Sequence, residues 1–290
     1  MRLRTIALAG TATAAYAVWE TRAFRFVEHR LEVAGRAPIL SVLHISDTHL
    51  TAKNRSLTAW LRDLPDKLDR PPDVAIATGD MIDDDSGIEP LEEVLAQLTG
   101  RLGSFYVFGS HDYFQSTPRG ALRSLVHRYS GSREPRSARY TDTDRLTVAL
   151  ADAGWTSLNN HSAVLSHEGS RIRIAGVDDP YLKRHKLEHV VREPEDDLAI
   201  GLVHAPDIVS EWVLAGYDLV LAGHTHGGQI RLPFAGALVT NCKLPSGLAQ
   251  GPNRVGAGWL HVSPGLGTSK FSPVRFLCSP EVTLLRLTPT

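Results

Sequence analysis

Five short stretches of this sequence close on side chains that bind metal ions. They are Asp47-Thr48-His49, Gly79-Asp80, Gly109-Ser110-His111-Asp112, His204 and Gly223-His224-Thr225-His226. Each ends an apolar run: ILSVLHIS (39–46), DVAIATG (73–79), SFYVFG (104–109), LAIGLVH (198–204) and YDLVLAG (217–223). Carboxylate and imidazole donors suit Mn, Fe or Zn better than Ca, and no thiolate joins them. In an extended backbone, residues two apart point the same way. Asp47 and His49 are therefore expected to converge on one ion, and His224 and His226 to offer two further ligands. A buried His beside an Asp, as in His111-Asp112, is costly unless it is used. A carboxylate on one ring nitrogen would fix the tautomer and leave the other nitrogen to serve a reacting oxygen. Singly, each motif reads as a turn, a helix cap or a core histidine. In series, each at a strand end, they read as a site along the carboxyl edge of a sheet.

The elements that must carry these residues follow from the pattern of apolar side chains. Strands are predicted at 39–46, 73–79 and 104–108. Helices are predicted between them at 55–68 and 89–99, from Leu57, Leu61, Leu64 and Leu68, and from Leu91, Val94, Leu95 and Leu98. That rhythm predicts βαβ units and a partly parallel sheet. The second half adds strands at 162–167, 171–176, 198–204, 217–223, 259–263 and 282–287, with a helix at 206–215 behind Pro206. No repeat and no long linker appears, so one domain built on two sheets is the simplest architecture.

With 290 residues the chain can bury a substantial core. A net charge of −1 gives no reason to expect nucleic acid as a partner. The two cysteines, Cys242 and Cys278, make no disulfide framework and are expected as core thiols. Residues 1–35 stand apart as an N-terminal segment, because TIALAGTATAAYAVW between Arg4 and Glu20 is uncharged. It is shorter than the ~20 residues of a spanning helix. It reads as a signal-like or anchoring stretch, followed by Arg22, Arg25 and Arg30, or as a packed helix. Membrane-associated, cytoplasmic and exported placements all stay open. The remaining residues, 36–290, form the domain, with an arginine-rich insertion at about 115–145 that reads as a basic lid or a solvated loop.

The series Asp47-x-His49, Gly79-Asp80, Gly-Ser-His111-Asp112, His204 and Gly223-His224-x-His226 resembles the calcineurin-like metallophosphoesterase family. The likeness spans roughly 39–290. It is greatest to a single-domain bacterial branch with GHTHGGQ (Gly223–Gln229), SxGLG (Ser263–Gly267), PxRF (Pro273–Phe276) and Pro280-Glu281. Members of that branch often carry an N-terminal membrane-targeting segment. The resemblance implies an α/β fold, a four-layer α/β/β/α sandwich of two mixed sheets flanked by helices. It implies two divalent or trivalent metal ions. Asp47, His49, Asp80 and His226 would ligate one ion with Asp80 bridging, and His204 and His224 would ligate the other. His111 would touch the phosphoryl or leaving-group oxygen, with Asp112 orienting it. The implied activity is hydrolysis of a phosphodiester or pyrophosphate by a metal-bridged hydroxide, between ions ~3.5–4 Å apart. Lipid-linked substrates of the UDP-diacylglucosamine kind are among those the branch suggests, with a membrane surface as a further partner and a monomer as the expected state.

The chain departs from the family at Ser110, where the family has an Asn whose carbonyl ligates the second metal. Water could fill the gap, the loop could shift so that Ser110 or His111 ligates, or the second site could be lost. The last outcome would make the chain a mononuclear or non-catalytic membrane-peripheral binding protein. Asp83, three residues after Asp80, is expected to orient a ligand from behind. Asp178-Asp179 reads as a turn or as lining of the substrate cleft, His44 as a core histidine, and His261 as packing beneath the site with no role assigned.

Overall fold

The computed structural model describes residues 2–116 and 139–290. The greater part of the arginine-rich insertion, including Arg119 to Arg136, lies outside them. The chain begins with helix α1 (Arg2–Glu20) and strand β1 (Arg25–Val33). Then come β2 (Leu40–Ile45), α2 (Arg55–Arg62), β3 (Val74–Thr78), α3 (Ile88–Leu95), β4 (Gly103–Val107), α4 (Thr143–Asp152) and β5 (Thr156–Ser157). A second run holds β6 (His161–His167), β7 (Ser170–Gly176), β8 (Leu198–Leu202), α5 (Val209–Leu214) and β9 (Leu219–Ala222). The chain ends with a small hairpin, β10 (Arg231–Leu232) and β11 (Gly236–Ala237), and with β12 (Gly251–Val255), β13 (Gly258–Val262) and β14 (Glu281–Pro289).

Two six-stranded sheets result, ordered β1-β14-β2-β3-β4-β5 and β12-β13-β9-β8-β7-β6. Both are mixed. β2 through β5 run parallel and β14 runs against β2. β7, β8, β9 and β13 run parallel, with β6 and β12 antiparallel at the two edges.

The strands that carry the site are buried on both faces, which is why they read as unbroken apolar runs. Alternate residues go to different layers. Val42, Val74, Ile76, Ile200, Leu219 and Leu221 pack between the sheets. Leu43, Ala75 and Ala77 face outward onto α2, α3 and α4. Val220 and Ala222 face outward onto α5, where Trp212 is fully buried. Three apolar layers separating four structural layers make the α/β/β/α sandwich. Each fully buried Val, Leu or Ile contributes about 1.5–3 kcal/mol, so the scaffold beneath the site is stiff.

Two parts of the expected organisation differ. Residues 25–33 form the edge strand β1, paired in parallel with β14, so the boundary at residue 35 falls inside the first sheet. Its period of two was legible: Leu31 and Val33 point inward, while Arg30 and Glu32 point out. The end of the insertion is ordered as the start of α4, capped by the Asp142 side chain on the Arg145 amide. Both cysteines are free and buried. No helix among the described residues is long and apolar enough to cross a membrane.

Candidate metal centre

The expected residues gather at the carboxyl ends of β2, β3 and β4 from the first sheet and of β8 and β9 from the second. Asp47, His49, Asp80 and His204 are at most 3% exposed. Three overlapping donor groups have all their ligand atoms within 4.8 Å of one another: Asp47/His49/His226, His49/Asp80/His111 and Asp47/Asp80/His204. His226 Nε2 is 3.5 Å from Asp47 Oδ1 and 3.2 Å from His49 Nε2. Asp80 Oδ2 is 3.7 Å from His49 Nε2 and 3.3 Å from His204 Nε2, between the two sides.

The convergence of Asp47 with His49 does not come from extended alternation. Asp47, His49, Asp80, His224 and His226 all have left-handed backbones, with φ of 49°, 43°, 49°, 68° and 48°. Non-glycine residues rarely adopt this region, at a cost of about 1–3 kcal/mol each. A ladder between the loops after β2 and β3 holds it: the amides of Asp47, His49 and Leu50 donate to the carbonyls of Gly79, Asp80 and Met81, each at 3.0 Å. Gly109 is required by close approach, since a Cβ there would run into the Asp80 carboxylate and, at 2.7 Å, the His204 ring.

The donor set fits a cation. His204 Nδ1 lies 2.6 Å from the Thr78 carbonyl, to which it donates, so Nε2 carries the lone pair and has no hydrogen-bond partner though buried. Burial alone would favour a neutral His204, yet Asp80, Asp47 and Asp179 outweigh it and raise its pKa well above 6.5. His49 is raised likewise against burial by Asp83, Asp80 and Asp47. Carboxylates concentrated enough to force protons onto buried imidazoles would be neutralised by metal ions instead.

His224 separates from His226. Its amide meets both Asp47 oxygens at 3.1 and 3.2 Å, its ring lies edge-on to His204 with centroids 5.2 Å apart, and its Nε2 is 3.2 Å from the Asn241 carbonyl. Ser110 opens a tight turn, Ser110–Asp112, whose backbone brings the His111 amide to Asp80 Oδ1 at 2.8 Å.

Asp112 does not orient His111. Its two oxygens accept the amides of Met81 and Gly109, each at 2.8 Å, and it is fully buried. Burial and the neighbouring Asp80 push its carboxyl up to about 7. The tight turn after Gly109 aims the side chain back at the backbone, so Asp112 braces the loops after β3 and β4. The neighbours of His111 Nδ1 are Ser116 Oγ at 3.0 Å and Asp83 Oδ1 at 3.9 Å. Asp83 also stands 3.4 Å from His49 Nδ1, accepts from Ser116, and takes the Lys270 amide at 3.1 Å. Although burial opposes it, His49, His111 and Ser116 hold Asp83 down at about 2.

Sequence reasoning missed Ser116, which nothing in its surroundings distinguishes, and Arg275, which it quoted only as part of PxRF. Arg275 is fully buried. Its guanidinium donates to the carbonyls of Pro264 (2.9 Å), Gly265 (3.1 Å), Gly267 (2.7 Å) and Cys278 (3.2 Å). The loop it clamps supports the donors, because the amides of Leu266 and Gly267 bind the carbonyls of Ser46 and Asp47.

Residues 40–228, from the start of β2 to the GHTHGG loop, match the family model described as calcineurin-like phosphoesterase. The chain belongs to the calcineurin-like phosphoesterase family. As a calcineurin-like phosphoesterase it is a hydrolase of phosphoester bonds. It is 31% identical to the Bacillus subtilis metallophosphoesterase YkuE over 76% of this chain and 69% of that one. Likeness extends to the UDP-2,3-diacylglucosamine pyrophosphatase LpxG of Chlamydia trachomatis, at 28% over 85% and 83%. It extends also to the Escherichia coli phosphodiesterase YaeI, at 25% over 91% and 88%.

Proposed function

We propose that this phosphoesterase uses two metal ions to cleave a phosphodiester or pyrophosphate joined to a lipid. The observation that carries the two-ion reading is the sharing of carboxylates: Asp80 lies between His49 and His204, and Asp47 belongs to donor groups on both sides. Asp47, His49, Asp80 and His226 would hold one ion. His204, His224 and Asp80 would hold the other, with Ser110 on its open side. Bound there, the ions would lower the pKa of water and neutralise the phosphoryl oxygens. The chain itself orients the donors, excludes solvent beneath them and presents His111 at the rim. Ser116, whose own proton goes to Asp83, accepts from His111 Nδ1 and fixes the ring, so Nε2 faces outward with its lone pair and would donate to the leaving oxygen only as the imidazolium.

Support for a lipid-linked substrate comes from the LpxG likeness and from apolar side chains exposed on α1 and on the segment 271–277. Val18, Trp19, Phe271 and Leu277 are all more than 40% exposed. Lys270, which meets Asp83, precedes Phe271. The test is metal analysis together with a substrate panel of bis-p-nitrophenyl phosphate, UDP-diacylglucosamine and a water-soluble UDP-sugar. Two ions at this centre, in addition to any held elsewhere on the chain, and preference for the acylated substrate are expected. Equal rates on the soluble analogue remove the lipid reading. A mononuclear centre is the second reading, favoured by His224 Nε2 facing the Asn241 carbonyl and by the short Ser110 side chain. One ion at this centre with undiminished turnover would establish it.

A further inference from the structure

A second cluster of donors lies beneath the catalytic floor, between the two sheets. His29 on β1, His261 on β13 and Glu281 on β14 have ligand atoms all within 4.8 Å of one another. Each points into the inter-sheet layer, since each shares parity with residues packed there: Leu31 and Val33, Trp259, and Leu285 and Leu287. Polar groups in that layer are costly unless satisfied. Yet His261 Nε2, on a fully buried ring, has no hydrogen-bond partner.

Hydrogen-bond directions show what that nitrogen carries. A carboxylate offers only lone pairs, so Ser46 Oγ donates to Asp47 Oδ2 at 2.6 Å. Thr78 Oγ1 then donates to Ser46 Oγ at 2.8 Å. With its proton spent, Thr78 accepts from His44 Nε2 at 2.9 Å. His44 Nδ1 is therefore the acceptor for His261 Nδ1, 2.9 Å away. This leaves His261 Nε2 unprotonated, a bare buried lone pair on a ring grouped with His29 and Glu281.

We infer that His29, His261 and Glu281 form a metal site of their own, separate from the catalytic centre, for a divalent ion of the zinc class. Two imidazoles and a carboxylate are a donor set for such an ion, with water completing the shell. His29 and Glu281 are partly exposed and give it an entry path. The ion ties the first sheet, through β1 and β14, to the second, through β13. Its binding is therefore felt as stability rather than as turnover.

The experiment compares Asp80→Asn, which disables the catalytic centre, with Asp80→Asn/His29→Gln and Asp80→Asn/Glu281→Gln, each stripped and reloaded with Zn²⁺ alone. The single variant is expected to hold one more equivalent of zinc than either double variant. At a hundredfold excess over the dissociation constant, zinc is expected to raise its thermal midpoint by about 5 °C more. Glu281→Gln keeps the shape of the side chain, so it guards against a folding defect at His29. Equal zinc content and equal midpoint shifts in all three overturn the site. Neither readout involves hydrolysis, so the result stands apart from the proposed function.

Discussion

His111 owes its position to two residues that sequence reasoning ranked low or passed over. Asp83 was read only as a partner for a ligand, and Ser116 was not singled out at all. Replacing His111 by Gln is expected to cut kcat by about 10²–10⁴ while leaving metal content intact. Atomic absorption on the variant checks this, and loss of an ion would make His111 a ligand, as its grouping with His49 and Asp80 allows. Ser110→Asn restores an amide carbonyl beside His204 and His224. It is expected to tighten one ion by about tenfold against a competing chelator, and unchanged affinity would mean that the turn at Ser110–Asp112 has been rebuilt around serine. That these donors would gather was legible, because ligand chemistry restricts residue type and glycines mark the close approaches. The division of labour between Asp83 and Asp112 was not legible. It depends on which way a three-residue turn aims its side chains, and this turn sets Asp83 rather than the adjacent Asp112 beside His111 Nδ1.

At the level of elements, the apolar runs predicted the central strands to within a residue or two. Both of their faces are buried, so no competing pattern obscured them. β1 escaped because its charged outer face resembled the cationic flank of a membrane segment, although its period of two was present. The segment from Ser263 to Cys278 carries little regular structure and still controls the site, through Arg275. Arg275→Met would leave four backbone carbonyls without their donor, Gly265 and Gly267 among them. A loss of about 3–5 kcal/mol in urea unfolding is expected, along with weaker metal retention, because the amides of Leu266 and Gly267 that hold Ser46 and Asp47 lose their anchorage. Wild-type stability would show that the loop holds itself.

For the molecule as a whole, the two-sheet architecture followed from the order of strands and helices, whereas the seam between the layers had to be seen in three dimensions. Asp73 shows how acid acts on the scaffold at a distance from the metals. It accepts the Ser41 amide and hydroxyl, each at 2.7 Å, and pairs with Arg101, joining the starts of β2 and β3. Burial opposes its charge, but Ser41 and Arg101 prevail and lower its pKa below 3.8. The unfolded chain therefore takes up this proton first as the pH falls. The stability that Asp73 confers is complete above about pH 4 and is lost as the pH drops through its folded value. Asp73→Asn is expected to cost about 2 kcal/mol at pH 7, and that gap should close toward pH 3 in urea titrations; a gap independent of pH would refute the assignment. The first helix belongs to this scale too. The Glu20 carboxylate accepts from the Cys278 amide (3.1 Å) and the Ser279 hydroxyl (3.0 Å), and the Ala17 carbonyl accepts the Arg275 amide (2.9 Å). In mechanical terms α1 is a handle bolted to the clamp. A load applied near residue 2, as from a bead in an optical trap, divides between β1, which begins at Arg25, and the contacts of Ala17 and Glu20 with the segment of Arg275 and Cys278, so that part of it is felt in the loop under Asp47 and His49.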